Sequence, residues 1–143
     1  MRASKWLAAL SFATLLSVSS VAFSEESTTV SVGEVSAPQQ EDAAKTIKST
    51  LTEELAKVKV PAGKKFIVSA NLVKLETTKN GSDSTTRAVV SLAIRDAKSG
   101  AIRGVINGTG LVKSKTGDAT AATLVVETAV RGATRNLTTV LSQ

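Results

Sequence analysis

The sequence predicts a two-layer α+β domain in which a helix, three antiparallel strands and a second helix run in that order, with both helices on one sheet face. Three observations carry this. Glu41–Lys59 and Asp118–Leu141 repeat apolar residues every three or four positions, the period of an amphipathic helix. Between them, three segments alternate apolar and polar residues, as a half-buried strand does. The strand-separating segments are Asn80-Gly81 and Asp96-Ala97-Lys98-Ser99-Gly100, which are turn-forming sequences.

In the first helix, Ala44, Ile47, Leu51, Leu55 and Val58 make the apolar stripe. Glu41 and Asp42 open it and Lys57 and Lys59 close it, which suits the helix dipole. Pro61 and Gly63 end it. The first strand, Lys65–Glu76, sets Phe66, Val68, Ala70 and Leu72 on one face. Val73 and Leu75 fall out of that phase, which predicts a bulge or twist near Leu72. The second strand, Thr85–Arg95, alternates cleanly, with Ala88, Val90, Leu92 and Ile94 inward. The third, Ala101–Lys113, has Ile102, Ile106 and Val112 in phase, together with Gly104, Gly108 and Gly110. Glycines on that face leave room for a closely packed helix or mark bulges.

The last helix then brings Ala122, Val126, Ala129, Ala133, Leu137 and Val140 or Leu141 inward, with Thr116 or Asp118 as its cap. Its threonines and valines are mediocre helix formers, so a strand over Thr123–Val130 stays open. The small residues of this helix match the glycine-lined strand in size, which favours a helix lying on the sheet.

Residues 1–24 read as a secretory signal peptide. Arg2 and Lys5 precede an apolar run from Leu7 to Phe23, and Ala22-Phe23-Ser24 sets small residues before a cut. The run is too short and too serine-rich for a spanning helix of about 20 apolar residues. Residues 25–40 read as a flexible lead-in, though Thr28–Val35 alternates and an edge strand there stays open. Residues 41–143 are then a single domain.

Cleavage leaves 119 of the 143 residues, and loss of Arg2 and Lys5 lowers the net charge from +6 to +4. That charge supports solubility and weak contact with anionic surfaces, and by itself does not indicate nucleic acid. The chain has no cysteine, histidine or tyrosine. Thiolate chemistry, disulfides, zinc-thiolate sites and the usual general base near neutral pH are therefore excluded. Outside the N-terminal segment the only aromatic residue is Phe66, so ligands have almost no ring to stack on.

The remaining motifs read as structure. Lys113–Asp118 lacks the residue order of a phosphate loop, and the glycines of Gly104–Gly110 lie inside a strand rather than between a strand and a helix. Glu53 and Glu54 sit side by side on a helix, and Asp96 occupies a turn where its carboxylate caps backbone N–H groups. Asn80, Asn107 and Asn136 fit the glycosylation pattern, which has meaning only in a eukaryotic secretory pathway. No catalytic residue, cofactor or metal is expected. Arg87, Arg95 and Arg103 lie on two neighbouring strands and form the candidate face for an anion or a partner.

From Glu41 onward the chain resembles a group of small bacterial cell-envelope domains that includes the curli secretion channel subunit and the lipoprotein activators of penicillin-binding proteins. The resemblance lies in the Asp96–Gly100 turn, which is similar to the group's D-x-x-[ST]-G, and in the small-residue strand with Gly104, Gly108 and Gly110. A variable loop follows, then a long helix with Ala121, Ala122, Ala129 and Ala133. The resemblance implies a non-enzymatic domain that binds partner proteins or assembles in the envelope. The chain lacks a lipidation cysteine, which implies a soluble periplasmic or secreted form. The expected function is thus an exported module that binds a protein partner or itself. A polyanion-binding protein using the basic sheet face is the alternative, and an enzyme built on carboxylates and a hard cation ranks last.

Overall fold

The computed structural model describes residues 30–60 and 63–141. The signal peptide and the start of the lead-in lie outside the described residues. The α+β class is as expected, with one strand more. The elements are β1 (Val30–Ser36), α1 (Glu41–Leu55), β2 (Phe66–Asn80), β3 (Asp83–Asp96), β4 (Ile102–Lys115), α2 (Ala121–Thr134) and α3 (Leu137–Leu141). The sheet order is β1-β2-β3-β4. β1 runs parallel to β2, while β2–β3 and β3–β4 are antiparallel, so the expected all-antiparallel sheet is a mixed one.

The added strand lies in the segment read as a flexible lead-in and is the edge strand that the alternation of Thr28–Val35 left open. Its valines decide this: Val30, Val32 and Val35 pack against the common core beside α1. The chain then crosses over through α1 before β2, as parallel pairing requires.

One core lies between the sheet and the helices. Ala88, Val90, Leu92 and Ile94 are completely buried, as the alternation predicts. They meet Ile47 and Leu51 of α1 and Val125, Val126, Ala129 and Ala133 of α2. The bulge near Leu72 is present: Leu72 pairs with Val90 and Lys74 with Val89, leaving Val73 as the extra residue. The extra residue returns Leu75 to the core side opposite Ala88.

Several expected boundaries shift. α1 ends at Leu55 rather than Lys59, and Ala43, not Ala44, is its buried alanine. Val58 still packs against the core, but from the turn after the helix. β2 and β3 run on to the Gly81-Ser82 turn, where Gly81 has φ +69. The last helix starts at Ala121, after a turn in which Asp118 accepts bonds from the Thr120 amide at 2.9 Å and its hydroxyl at 2.7 Å. Neither Thr116 nor Asp118 is the N-cap; that position is Thr120, which makes no side-chain cap bond. Ala121 rather than Ala122 faces inward. The helix breaks after Thr134 and resumes as α3, which buries Leu137 and Leu141.

The glycine-lined strand does what its composition predicts. A Cβ on Gly108 would collide with the Ala129 carbonyl oxygen and lie 2.7 Å from the Ala133 nitrogen. One on Gly110 would collide with the Val125 carbonyl oxygen. α2 therefore lies directly on the β4 backbone, with Ala129 and Ala133 in the contact.

Candidate functional site

The helices cover one face of the sheet, and among the described residues the other face is open. Alternation along each strand decides what the open face carries. From β2 it takes Ile67, Ser69 and Asn71, and from β3 Val89, Ser91, Ala93 and Arg95, opposite Asn107 and Val105 of β4. Near its centre is a shallow trough of about 540 Å³ whose lining includes Gly33, Glu34, Ser69, Ser91, Ala93 and Arg95. It is hollow because Ser69, Ser91 and Ala93 are small and Gly33 has no side chain. A Cβ on Gly33 would come within 2.6 Å of Ile67 Cγ2.

The three arginines do not form one line. Arg87 sits opposite Glu76 and Leu111. It lies eight residues along β3 from Arg95, about 27 Å at the usual strand rise. Arg95 instead has β4's first residue beside it, because the register slips between Ile94 and Arg95. Ile94 pairs with Gly104 and Arg95 with Ile102, so Arg103 is the extra residue. The slip turns Ile102 outward, against the expectation that it joins the core; it is 62% exposed. Among the described residues, Arg87 and Arg95 enter no ion pair.

The carboxylates serve the scaffold. Asp96 Oδ1 accepts the amides of Lys98 at 2.8 Å and Ser99 at 3.1 Å. The Ser99 amide, then that of Lys98, hold its carboxyl below the usual range, and the charge of Arg103 adds to this. Asp118 is lowered by the Thr120 hydroxyl and then by its amide. Glu53 is exposed, whereas Glu54 is half-buried. It meets Lys57 at 3.1 Å and Arg131 at 3.5 Å, tying α1 to α2. Among the described residues, no group of three or more acidic side chains is placed to hold a metal.

The depressed Asp96 carboxyl has a testable sign. A folded value below 3.8 gives stability that is present above the unfolded value and lost as pH falls through the folded one. Asp96→Asn is therefore expected to be less stable than the parent chain at about pH 6, with the gap closing towards about pH 2. Urea denaturation across that range checks this, and a gap that stays constant with pH removes the charge as its cause.

What sequence reasoning missed on the open face is its apolar content. Ile102, Val105 and Leu111 are 62%, 61% and 58% exposed, and all three lie on β4. The signal for Val105 and Leu111 was in the alternation itself, which places them in phase with Asn107 and Thr109. The open face is thus polar and basic with an apolar margin along one edge strand.

The chain matches no family model and no curated protein. Solved structures share the fold. A protein of the DUF330 family from Xanthomonas campestris aligns with TM-score 0.56 and 10% identity, over 78% of this chain and 81% of that one. PelC of Paraburkholderia phytofirmans, solved as a dodecamer, aligns with TM-score 0.53 and 14% identity, over 82% of this chain and 89% of that one. A candidate lipoprotein from Caulobacter crescentus CB15 gives TM-score 0.51 and 20% identity, over 77% and 86%. At these identities the likeness is one of fold.

Proposed function

We propose that the chain is an exported, non-enzymatic module that works by binding a protein partner or by assembling in the cell envelope. The observation that carries this reading is the open sheet face, whose β4 margin keeps three large apolar side chains in solvent. Exposed apolar side chains set along one edge strand, rather than scattered over the surface, favour an interaction surface. The N-terminal segment supports export, since its pattern is that of a signal peptide. The absence of histidine, cysteine and tyrosine from the sequence supports a role without covalent or general-base chemistry. Fold likeness to a candidate lipoprotein and to PelC, which forms a dodecamer, supports an envelope setting and self-assembly. Among the described residues, no helix is long and apolar enough to cross a membrane.

The test is chemical cross-linking in the envelope of cells that make the protein, followed by detection of the chain. A discrete adduct heavier than the monomer is expected. Recovery of monomer alone, with cross-linking of a known envelope complex as the positive control, overturns the reading.

A further inference from the structure

Among the described residues the sheet ends in two free edges, and they are built differently. Natural edge strands are kept from pairing by short length, bulges and charged side chains. β1 has all three: it is seven residues long, slips register between Val32 and Val35, and exposes Glu34. β4 is 14 residues long, and from Gly104 to Val112 (GVINGTGLV) it carries neither a charge nor a proline. Ile102, Val105 and Leu111, three of the five large apolar side chains exposed among the described residues, lie on this strand. An edge that is long, uncharged and apolar on its open face is a template for a further strand.

We propose that this strand is β4 of a second copy, added antiparallel about a two-fold axis through Asn107. The proposal rests on the assembly half of the reading above and names its surface. Self-complementarity selects the occupant. The axis must pass through a residue, because a half-residue register would set open-face side chains against helix-side ones. An axis at Gly108 puts Arg103 opposite Lys113, and one at Thr109 puts it opposite Lys115, and like charges directly opposite repel. An axis at Ile106 sets two isoleucines against each other beneath the helices and leaves Leu111 outside the paired strands.

An axis at Asn107 avoids all of these. Asn107 then faces Asn107, Val105 faces Thr109, and Arg103 lays its aliphatic stem along Leu111. On the helix side, Ile106 faces Gly108 and Gly104 faces Gly110, large against small or small against small. Both sheets join into one of eight strands, with all helices on one side.

The absence of cysteine makes the test specific. About this axis the two Asn107 Cα atoms lie about 4.5–5.5 Å apart, within the span of a disulfide. The two Thr109 Cα atoms lie four residues out of register, about 14 Å apart along the strand. Purified Asn107→Cys is expected to form a disulfide-linked dimer on mild oxidation, reversed by reductant, while Thr109→Cys remains unlinked. By light scattering after gel filtration, the parent chain is expected to have twice the monomer mass. Val105→Lys should return it to monomer with an unchanged circular dichroism spectrum, and its melting temperature should no longer depend on concentration.

A parent chain that is monomeric up to about 0.1 mM, the range of weak dimers, overturns the pairing. A dimer linked through Cys at 109 but not at 107 overturns the register, and one indifferent to Val105→Lys overturns the edge. The envelope cross-linking test fails separately, because it detects any partner, and monomer alone there defeats the functional reading itself.

Discussion

Gly108→Ala is expected to lower stability by more than about 3 kcal/mol, the upper end of ordinary overpacking, or to prevent folding. The added methyl collides with the Ala129 carbonyl oxygen and crowds the Ala133 nitrogen, and both are backbone atoms of α2. A side chain can rotate away from such a contact, but a helix backbone cannot. The whole of α2 would have to rise from the sheet, opening the core around Val125, Val126 and Ala129. Gly110→Ala should behave in the same way through Val125. Gly132 is the control, because it lies inside α2 and a Cβ there would meet nothing nearer than the Thr109 carbonyl at 3.9 Å. Gly132→Ala should therefore gain the helix preference of alanine, about 0.5–1 kcal/mol. Opposite signs in urea denaturation are the expected result. A Gly108→Ala loss below about 1 kcal/mol would mean that α2 does not lie on the β4 backbone as described.

This contrast also shows why part of the fold was legible in the sequence. Alternation and small-residue matching are local patterns, and they placed Ala88–Ile94, the Leu72 bulge, and the contact of Gly108 with Ala129 and Ala133. The parts that were not legible depend on distant pairing. Val30–Ser36 alternates weakly enough that an edge strand and a flexible lead-in both stayed open, and its parallel pairing with β2 is a long-range contact that no local pattern specifies. The slip at Arg103 adjoins Gly104, but three glycines on that strand could each mark either a bulge or a close helix, and the slip carries Ile102 out of the core. That slip also determines the candidate site. Alternation placed all three arginines on one face, but strand length separates Arg87 from Arg95 by about 27 Å. Val105 and Leu111, whose exposure gives the face its apolar margin, carry no charge to set them apart in the sequence. Charge is visible in a sequence, whereas exposure of an apolar residue depends on which elements cover the sheet.

Phe66→Ala is the second substitution with a large expected effect, a loss of about 3–5 kcal/mol. Phe66 is 2% exposed and stands at the first position of β2, paired with Val30 on one side and Asp96 on the other. It is the only aromatic side chain among the described residues, so no neighbouring ring can swing into the space it leaves. Domains of this kind have about 5–15 kcal/mol in total, so the variant would be close to unfolding. The damage should not be uniform. β1 is joined to the sheet only through β2, and it begins beside Phe66. Amide exchange in Val30–Ser36 should therefore accelerate more than in β3, whose strands on both sides remain paired. Phe66→Leu, which keeps most of the volume, should cost less than about 1.5 kcal/mol and leave β1 protected. If Phe66→Ala speeds exchange equally across β1 and β3, β1 belongs to the same cooperative unit as the central strands, and the expected local loosening is wrong.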